Sequence, residues 1–294
     1  KHRPDRPGGG IVSEVDLHIH TTASDGRFSP AEIIHKSAEL GLTAIAIADH
    51  DSVNGIAPAL EAAKAFPMLK VIPGVEISTD VPHGEVHILG YFVDYTDREM
   101  LGTLERSRAS RQIRAQGMVA RLEKLDVHIE WQRVKEIAGS GAIGRPHIAQ
   151  AMLEKGYIAS SGEAFAKYIG RDGPAYVERE KTTPVQAVEL ILQAKGLPVL
   201  AHPLTVNDSE GMIVELKAVG LVGIESYSNG YTADETIALV GLATRHNLIT
   251  TGGSDYHGLD DGAGAMLGSL DVPLKSAERL IALAKQRGLK LVES

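Results

Sequence analysis

The sequence predicts an α/β fold, a (β/α) barrel interrupted by an inserted helical subdomain. Three observations predict it. Short apolar runs bounded by turn residues alternate with amphipathic stretches, the pattern of parallel strands joined by crossover helices. Seven or eight such units can be read along the chain, enough to close a barrel. From about Asp97 to Ala194 the alternation stops, and helical patterns follow one another with only a brief strand-like run at Ala175–Val177.

In chain order, strands are expected at Ile11–His20, Thr43–His50, Lys70–Ser78, Glu85–Val93, Leu197–Pro203, Gly223–Tyr227 and Leu248–His257. Helical spacing of apolar residues places helices at Pro30–Leu40, Ile56–Phe66, Gly211–Val219 and Ala233–His246, with a closing helix at Ser276–Gln286. Within the interruption, a long charged helix runs through Arg121, followed by Trp131–Ala138, Pro146–Lys155, Glu163–Ile169 and Pro184–Ala194. The expected organisation is therefore a first part of the barrel at 11–96, a helical insertion forming a cap at 97–194, and a second part of the barrel at 195–294. The polar, glycine-containing stretch 1–10 reads as a disordered extension without a role.

Composition narrows the function classes. At 294 residues and 43% hydrophobic, the chain can bury a sizeable core, but at 4% aromatic that core must be aliphatic. Few aromatics also argue against a stacking platform for single-stranded nucleic acid. The formal charge of −8 is a poor match for sequence-independent binding to long nucleic acid, so no DNA-binding module is expected. A small phosphorylated substrate remains compatible, because bound divalent metals would reverse the charge locally. The absence of cysteine removes disulfides, thiolate metal sites and cysteine nucleophiles. No apolar run reaches the length of a membrane span and no signal segment is recognised, so the cytoplasm is the expected compartment.

The chemistry-bearing residues fall in a pattern. His18 and His20 close the first strand, Asp49 and His50 the second, Glu76 the third and His202 the fifth; Asp255 and His257 close the last. His87 lies within the fourth strand, and Asp25 in the loop after the first. In parallel β/α barrels the C-terminal strand ends carry the active site. Mixed imidazole and carboxylate suit zinc, manganese or iron. The His-x-His spacing puts two rings on one face of a strand, where both can grip one ion, and a carboxylate such as Glu76 can bridge two. A lone histidine at a strand end is more often packed or solvated. Nine ligand candidates on one rim are a different matter, and suit two or three ions. Asp49 reads as a partner that orients a ligand, and Asp51 as a cap of the following turn. His2, His35, His83, His128 and His246, in the tail, on helices or in loops, read as structural or solvated.

The segments Asp16–His20, Thr21–Gly26, Ala48–Asp51, Pro73–Glu76, Val86–Leu89, Ala201–Pro203 and Gly253–His257 resemble, in order, the motif series of the PHP (polymerase and histidinol phosphatase) family. The resemblance covers roughly two thirds of the chain and implies a distorted TIM-like (β/α)7 barrel of the PHP type. It also implies three metal positions: His18, His20, Glu76 and Asp255 at the first, Asp25, His50 and His257 at the second, and Glu76, His87 and His202 at the third, with Glu76 bridging. Manganese is the expected ion, with iron and zinc as alternatives. The inserted helical region resembles the nucleoside 3′,5′-bisphosphate phosphatase branch, also described as RNase AM-type 5′→3′ exoribonucleases. In that branch Gly144–His147 looks like a substrate-phosphate motif, with Arg145 and His147 as binding residues.

The activity implied is hydrolysis of a nucleotide phosphate monoester: the 3′-phosphate of nucleoside 3′,5′-bisphosphates, with the 5′ ends of short RNA as a second substrate. The metals would lower the pKa of a bound water, and no catalytic side chain beyond that metal-bound water is expected. Arg145 offers a planar fork for phosphate oxygens, though it could equally pair with a surface carboxylate. Other readings stay open: a simple phosphomonoesterase of the histidinol-phosphate type, a non-catalytic PHP module, and a metal-dependent amidohydrolase. The complete ligand set speaks against the second, and the lack of a strand-end lysine against the third.

Overall fold

The computed structural model describes residues 14–81, 84–139, 143–178, 182–258 and 266–289. The expected extension at 1–10, and His2 and His83, lie outside them. Seven strands form one sheet in chain order: β1 (Val15–Ile19), β2 (Ala44–Ile47), β3 (Lys70–Val81), β4 (Gly84–Tyr91), β5 (Leu197–Leu200), β6 (Gly223–Ser228) and β7 (Ile249–Gly253). The sheet curls into a nearly closed barrel. Its seam runs where the backbone past β7 meets β1: His20 N–H donates to Tyr256 O at 3.0 Å and Tyr256 N–H to His18 O at 3.3 Å.

The barrel is not all-parallel, as the strand–helix alternation had implied. β4 runs antiparallel to both β3 and β5. Only two residues separate β3 from β4, and a parallel pair needs a crossover of a dozen or more. The expected short strand at Ala175–Val177 is also absent. That segment follows the turns at Gly170 and Gly173 and buries Ala175 in the core formed by the inserted helices, and among the described residues it pairs with no strand.

Several strands end earlier than expected. β1, β2, β5 and β7 stop at Ile19, Ile47, Leu200 and Gly253, so His20, His50, His202, Asp255 and His257 lie just beyond them. The chain leaves the ladder there through left-handed backbone at Asp51 (φ 46°), His202 (φ 27°) and Asp255 (φ 53°). Non-glycine residues rarely adopt this region, and such backbone concentrates at functional sites. β3 is longer than expected and carries Glu76 in its interior.

Helices α1 (Pro30–Leu40) and α2 (Ile56–Ala63) follow β1 and β2. α1 starts at a capping box of Ser29 and Glu32 and ends at left-handed Gly41, the residue type that costs least there. After β4 come α3 (Arg98–Glu123), α4 (Trp131–Ala138), α5 (Arg145–Glu154) and α6 (Ser161–Ala164). α6 continues into a single π-helical turn at Phe165–Ile169, where one helix had been expected. α7 (Pro184–Gln193), α8 (Ser209–Ala218), α9 (Ala233–Arg245) and α10 (Leu274–Gln286) follow among the described residues.

Packing divides the helical interruption. Met100 and Leu104 of α3, with Ala187, Val188 and Ile191 of α7, join the barrel core around Val86, Ile88 and Leu200. Ala115, Met118, Val119 and Leu122 of α3 belong instead to a second core with Val134, Ile148, Met152 and Ile169. α3 thus serves two cores. Its 26 residues span about 39 Å, long enough to carry residues into both. Among the described residues no helix is long and apolar enough to cross a membrane.

Gly253 marks where β7 crosses closest to β1. A Cβ there would collide with the backbone N and the Cβ of His18. Gly253→Ala is therefore expected to destabilise by about 1–3 kcal/mol through overpacking, read as a lower urea midpoint. An unchanged midpoint would contradict the close approach.

Candidate metal centre

β1 alternates its side chains, so Asp16, His18 and His20 share one face, and all three are buried. His18 Nδ1–H donates to Glu225 Oε1 on β6 at 2.9 Å, which turns Nε2 inward, 3.2 Å from Glu76 Oε2 and 3.5 Å from Asp255 Oδ1. His20 Nε2 lies 3.0 Å from the same Asp255 oxygen and 3.3 Å from Glu76 Oε2. His50 Nδ1 approaches that Glu76 oxygen at 2.9 Å. The other oxygen, Oε1, faces His87 Nδ1 at 2.9 Å and His202 Nε2 at 3.1 Å. Glu76 is therefore the hub of five imidazoles. His87 reaches it because β4 is reversed, so that the N-terminal half of this strand meets the C-terminal half of β3.

Asp25 sits on the far side of His20 and His50. Its Oδ1 lies 3.4 Å from His257 Nε2 and its Oδ2 3.9 Å from His50 Nε2. His257 Nδ1–H donates to Asp255 O at 2.8 Å, fixing which nitrogen faces Asp25. All nine expected ligands thus converge. Their ligand atoms fall into three compact groups: His18, His20, Glu76 and Asp255; His20, Asp25, His50 and His257; and His50, Glu76 and His87. The first is the set implied by the resemblance. The second adds His20. The third holds His50 where His202 had been expected, although His202 shares Glu76 Oε1 with His87.

The donor set fits divalent cations. Six buried atoms at its centre have no hydrogen-bond partner: His18 Nε2, His20 Nε2, Asp25 Oδ1, His50 Nδ1, Glu76 Oε2 and Asp255 Oδ1. Folded proteins leave few such atoms, each costing about 1–3 kcal/mol. Here imidazole nitrogens and carboxylate oxygens stand together around the space where a cation would satisfy both. Electrostatics agree. Burial alone would raise the pKa of Glu76, yet His50, His18 and His87 hold it well below the usual range. Burial is likewise overcome at Asp25 by His50 and His257, and at Asp255 by His18 and His20. Against its own burial, His20 is pushed up to about 10 by Asp255 and Glu76. The ionised carboxylates hold positive charge at their centre, which bound metals would supply in place of protons.

A second ring of contacts fixes this arrangement. Glu225 Oε2 also accepts the backbone N–H of His202 at 2.8 Å, so one buried carboxylate orients the His18 ring and pins the backbone at His202. Asp16 accepts from Ser254 N at 2.9 Å, Ser254 Oγ at 2.6 Å and Gly268 N at 2.9 Å, which seats the turn bearing Asp255. Asp49 accepts from Thr21 N at 2.7 Å, Thr21 Oγ1 at 2.8 Å and Ser24 Oγ at 2.7 Å. It therefore orders the loop carrying Asp25 rather than holding a ring directly. Asp51 does not cap the following turn; it accepts from Ser78 N at 3.0 Å and from Arg111 Nε at 2.7 Å. The sequence reading missed Glu225 and Asp16. Each had a signal: the one charged residue in its strand, and an acid on the His18–His20 face.

The helical segment touches the barrel on this side. Arg171 donates to Val81 O at 2.7 Å and Gly84 O at 3.2 Å, clasping the ends of β3 and β4. Arg145 Nη2 pairs with Glu85 Oε2 at 2.7 Å, and its guanidinium lies over the Phe165 ring, 5.3 Å from the centroid. Burial would raise the Glu85 pKa, but Arg145, His87 and Arg114 pull it down to about 2. His147 is buried, and its Nδ1 accepts the Gly144 N–H at 2.9 Å. Burial holds its pKa below the ordinary value, Asp25 opposing and Arg111 assisting. The neutral ring then carries its proton on Nε2, as a donor.

The PHP domain family model matches residues 16–193. The chain is 36% identical over 247 residues to the 5′-3′ exoribonuclease Rnm of Escherichia coli, covering 82% of this chain and 84% of that protein. It is 30% identical over 274 residues to the 3′,5′-nucleoside bisphosphate phosphatase of Chromobacterium violaceum, covering 89% and 93%. A crystal structure from Bifidobacterium adolescentis, described as that of a metal-dependent phosphoesterase, superimposes with a TM-score of 0.85 at 29% identity, covering 97% of this chain and all of that one.

Proposed function

Because the chain belongs to the PHP family of metal-dependent phosphoesterases, we propose that it hydrolyses the 3′-phosphate of nucleoside 3′,5′-bisphosphates, and that short 5′-phosphorylated RNA is a second substrate. That it is a hydrolase using divalent metals follows from the family and from its donor set. The substrate class is the proposal, as are the number of ions, two or three, and their identity as manganese. The relatives in Escherichia coli and Chromobacterium violaceum supply the two substrate classes. The observation that carries the reading is the start of α5, where Arg145 and a neutral His147 stand on a helical segment that reaches the barrel beside the metal centre.

The residues divide the work. His18, His20, Asp25, His50, Glu76, His87, His202, Asp255 and His257 would hold the ions. Cations bound there supply Lewis acidity for in-line attack of water on phosphorus. Glu225 and Asp16 keep the rings and the Asp255 turn in place, so little reorganisation is needed during reaction. Arg145 presents a fork suited to the phosphate that is not cleaved. Before substrate arrives, Glu85 and Phe165 hold that fork ready, and a phosphate engaging it competes with the Glu85 carboxylate. His147 Nε2–H offers a second donor. In this reading, residues 97–194 supply the cap that selects substrate, and the barrel supplies the chemistry.

A substrate panel tests the reading. Phosphate release is compared for 3′,5′-bisphosphonucleosides, simple monoesters including histidinol phosphate, and short 5′-phosphorylated RNA, all with manganese. The bisphosphates should be turned over with the highest kcat/KM. A preference for simple monoesters would replace the proposal by the histidinol-phosphate type of activity. Arg145→Ala sharpens the test. It removes one charge-assisted contact of about 1.5–3 kcal/mol, roughly ten- to a hundredfold in kcat/KM on a bisphosphate. Monoesters should lose much less, and metal content should not change. Equal losses on both substrate types would mean that Arg145 supports the cap through Glu85 instead.

A further inference from the structure

Helix α3 is strongly polar, yet Arg111 in its middle is nearly enclosed, with 11% of its side chain exposed. Its Nε donates to Asp51 Oδ2 at 2.7 Å and its Nη2 donates to Ser78 Oγ. The second Asp51 oxygen accepts the Ser78 N–H at 3.0 Å, closing a ring of three hydrogen bonds. The ring joins α3, the turn after β2, and β3. Asp51 immediately follows His50, and Ser78 lies two residues beyond Glu76, on the same face of β3. The backbone is stitched at the same place: Asp51 N–H donates to Glu76 O at 2.9 Å and Glu76 N–H to Asp49 O at 3.1 Å.

Asp51 is fully buried, and Arg111 is the cation paired with it among the described residues. It also takes left-handed backbone, so the turn that aims His50 depends on what surrounds it. The remaining edge of the guanidinium, Nη1, lies beside Gly144, the residue that opens α5 and precedes Arg145 and His147. Arg111 therefore stands between the metal centre and the segment expected to bind phosphate.

We propose that Arg111 is a positioning residue that acts through Asp51 and Ser78 to set His50 against Glu76, so that seating of α3 on the barrel and assembly of the metal centre are one event. The inference rests on the reading of His50 and Glu76 as metal ligands. Removing the guanidinium leaves a buried carboxylate without its counter-ion next to a ligand. Partners that orient ligands are worth about 10–100-fold in metal affinity. Lysine does not reproduce the effect, because a single ammonium lacks the planar fork that serves both acceptors.

The test is a titration of the apo protein with manganese against a competing chelator, with circular dichroism reporting the fold. Arg111→Met, and Arg111→Lys should the first variant fail to fold, are expected to weaken binding of at least one ion by about 10–100-fold while the fold is kept. Added guanidinium should restore part of the affinity to Arg111→Met. The double variant Arg111→Met with Asp51→Asn should bind no more weakly than Arg111→Met alone, since it removes the stranded charge as well. Wild-type manganese affinity in a folded Arg111 variant would overturn the proposal. Glu76→Ala, run in parallel, separates the two readings: if it too keeps every ion at wild-type affinity, the ligand assignment has failed rather than the role of Arg111.

Discussion

Glu76→Ala should strip at least one metal ion from the protein and reduce turnover by more than about a hundredfold, the upper end of what losing a mere outer partner of a ligand costs. The expectation follows from sharing. One Glu76 oxygen faces His18, His20 and His50, the other His87 and His202, all between 2.9 and 3.3 Å. No other carboxylate of the cluster approaches as many rings. Its removal leaves two groups of ligands without their common anion, and brings five imidazoles together with less negative charge to hold any cation. Elemental analysis and phosphate release measured on the same preparation decide the matter. A variant with full metal content and wild-type rate would show that Glu76 is not the hub.

Chelation should abolish activity, and adding back manganese should restore it. Under metal-replete conditions the protein should carry two or three ions per chain. The three compact groups of ligand atoms are the reason, since their eight side chains exceed the six positions of one octahedral ion. Because binding displaces protons from the rings, affinity should rise with pH. The metal-loaded form should also melt at a higher temperature than the stripped form, by linkage of binding to folding. Intact activity in protein that holds one ion or none would be the contrary finding.

The sequence was most legible where chemistry is local. His18, His20, Glu76 and His257 announce themselves by residue type at the expected strand ends, and the structure brings all nine candidates together. α1 was legible to the residue because Ser29, Glu32 and Gly41 state both of its ends. Strand direction was not legible. Hydrophobic period says that β4 is a strand but not which way it runs; the shortness of its link to β3 held that information. Glu225 was missed because its meaning depends on His18, 207 residues away in sequence. Arg111 had still less signal, one arginine among several on a polar helix, distinguished only by Asp51 beneath it. The start of α5 was partly legible. Gly144–His147 can be picked out in the sequence, while the pairing of Arg145 with Glu85 is a property of the folded chain.

The double allegiance of α3 makes it a ruler. Met100 and Leu104 fix its foot in the barrel core, Arg111 meets the barrel at Asp51 beside His50, and Ala115 to Leu122 enter the second core. Each residue advances such a rod by about 1.5 Å and turns it by about 100°. One residue inserted below Arg111 would rotate it away from Asp51. One inserted above would turn the apolar face of the upper half away from Ile148 and Met152. Only additions near whole multiples of the helical repeat, about seven residues for two turns, keep both faces in phase. The distance of the second core from the barrel can therefore change in steps of roughly 10 Å, not continuously. A lineage that exchanged short substrates for bulkier ones by this route would have to do so in jumps.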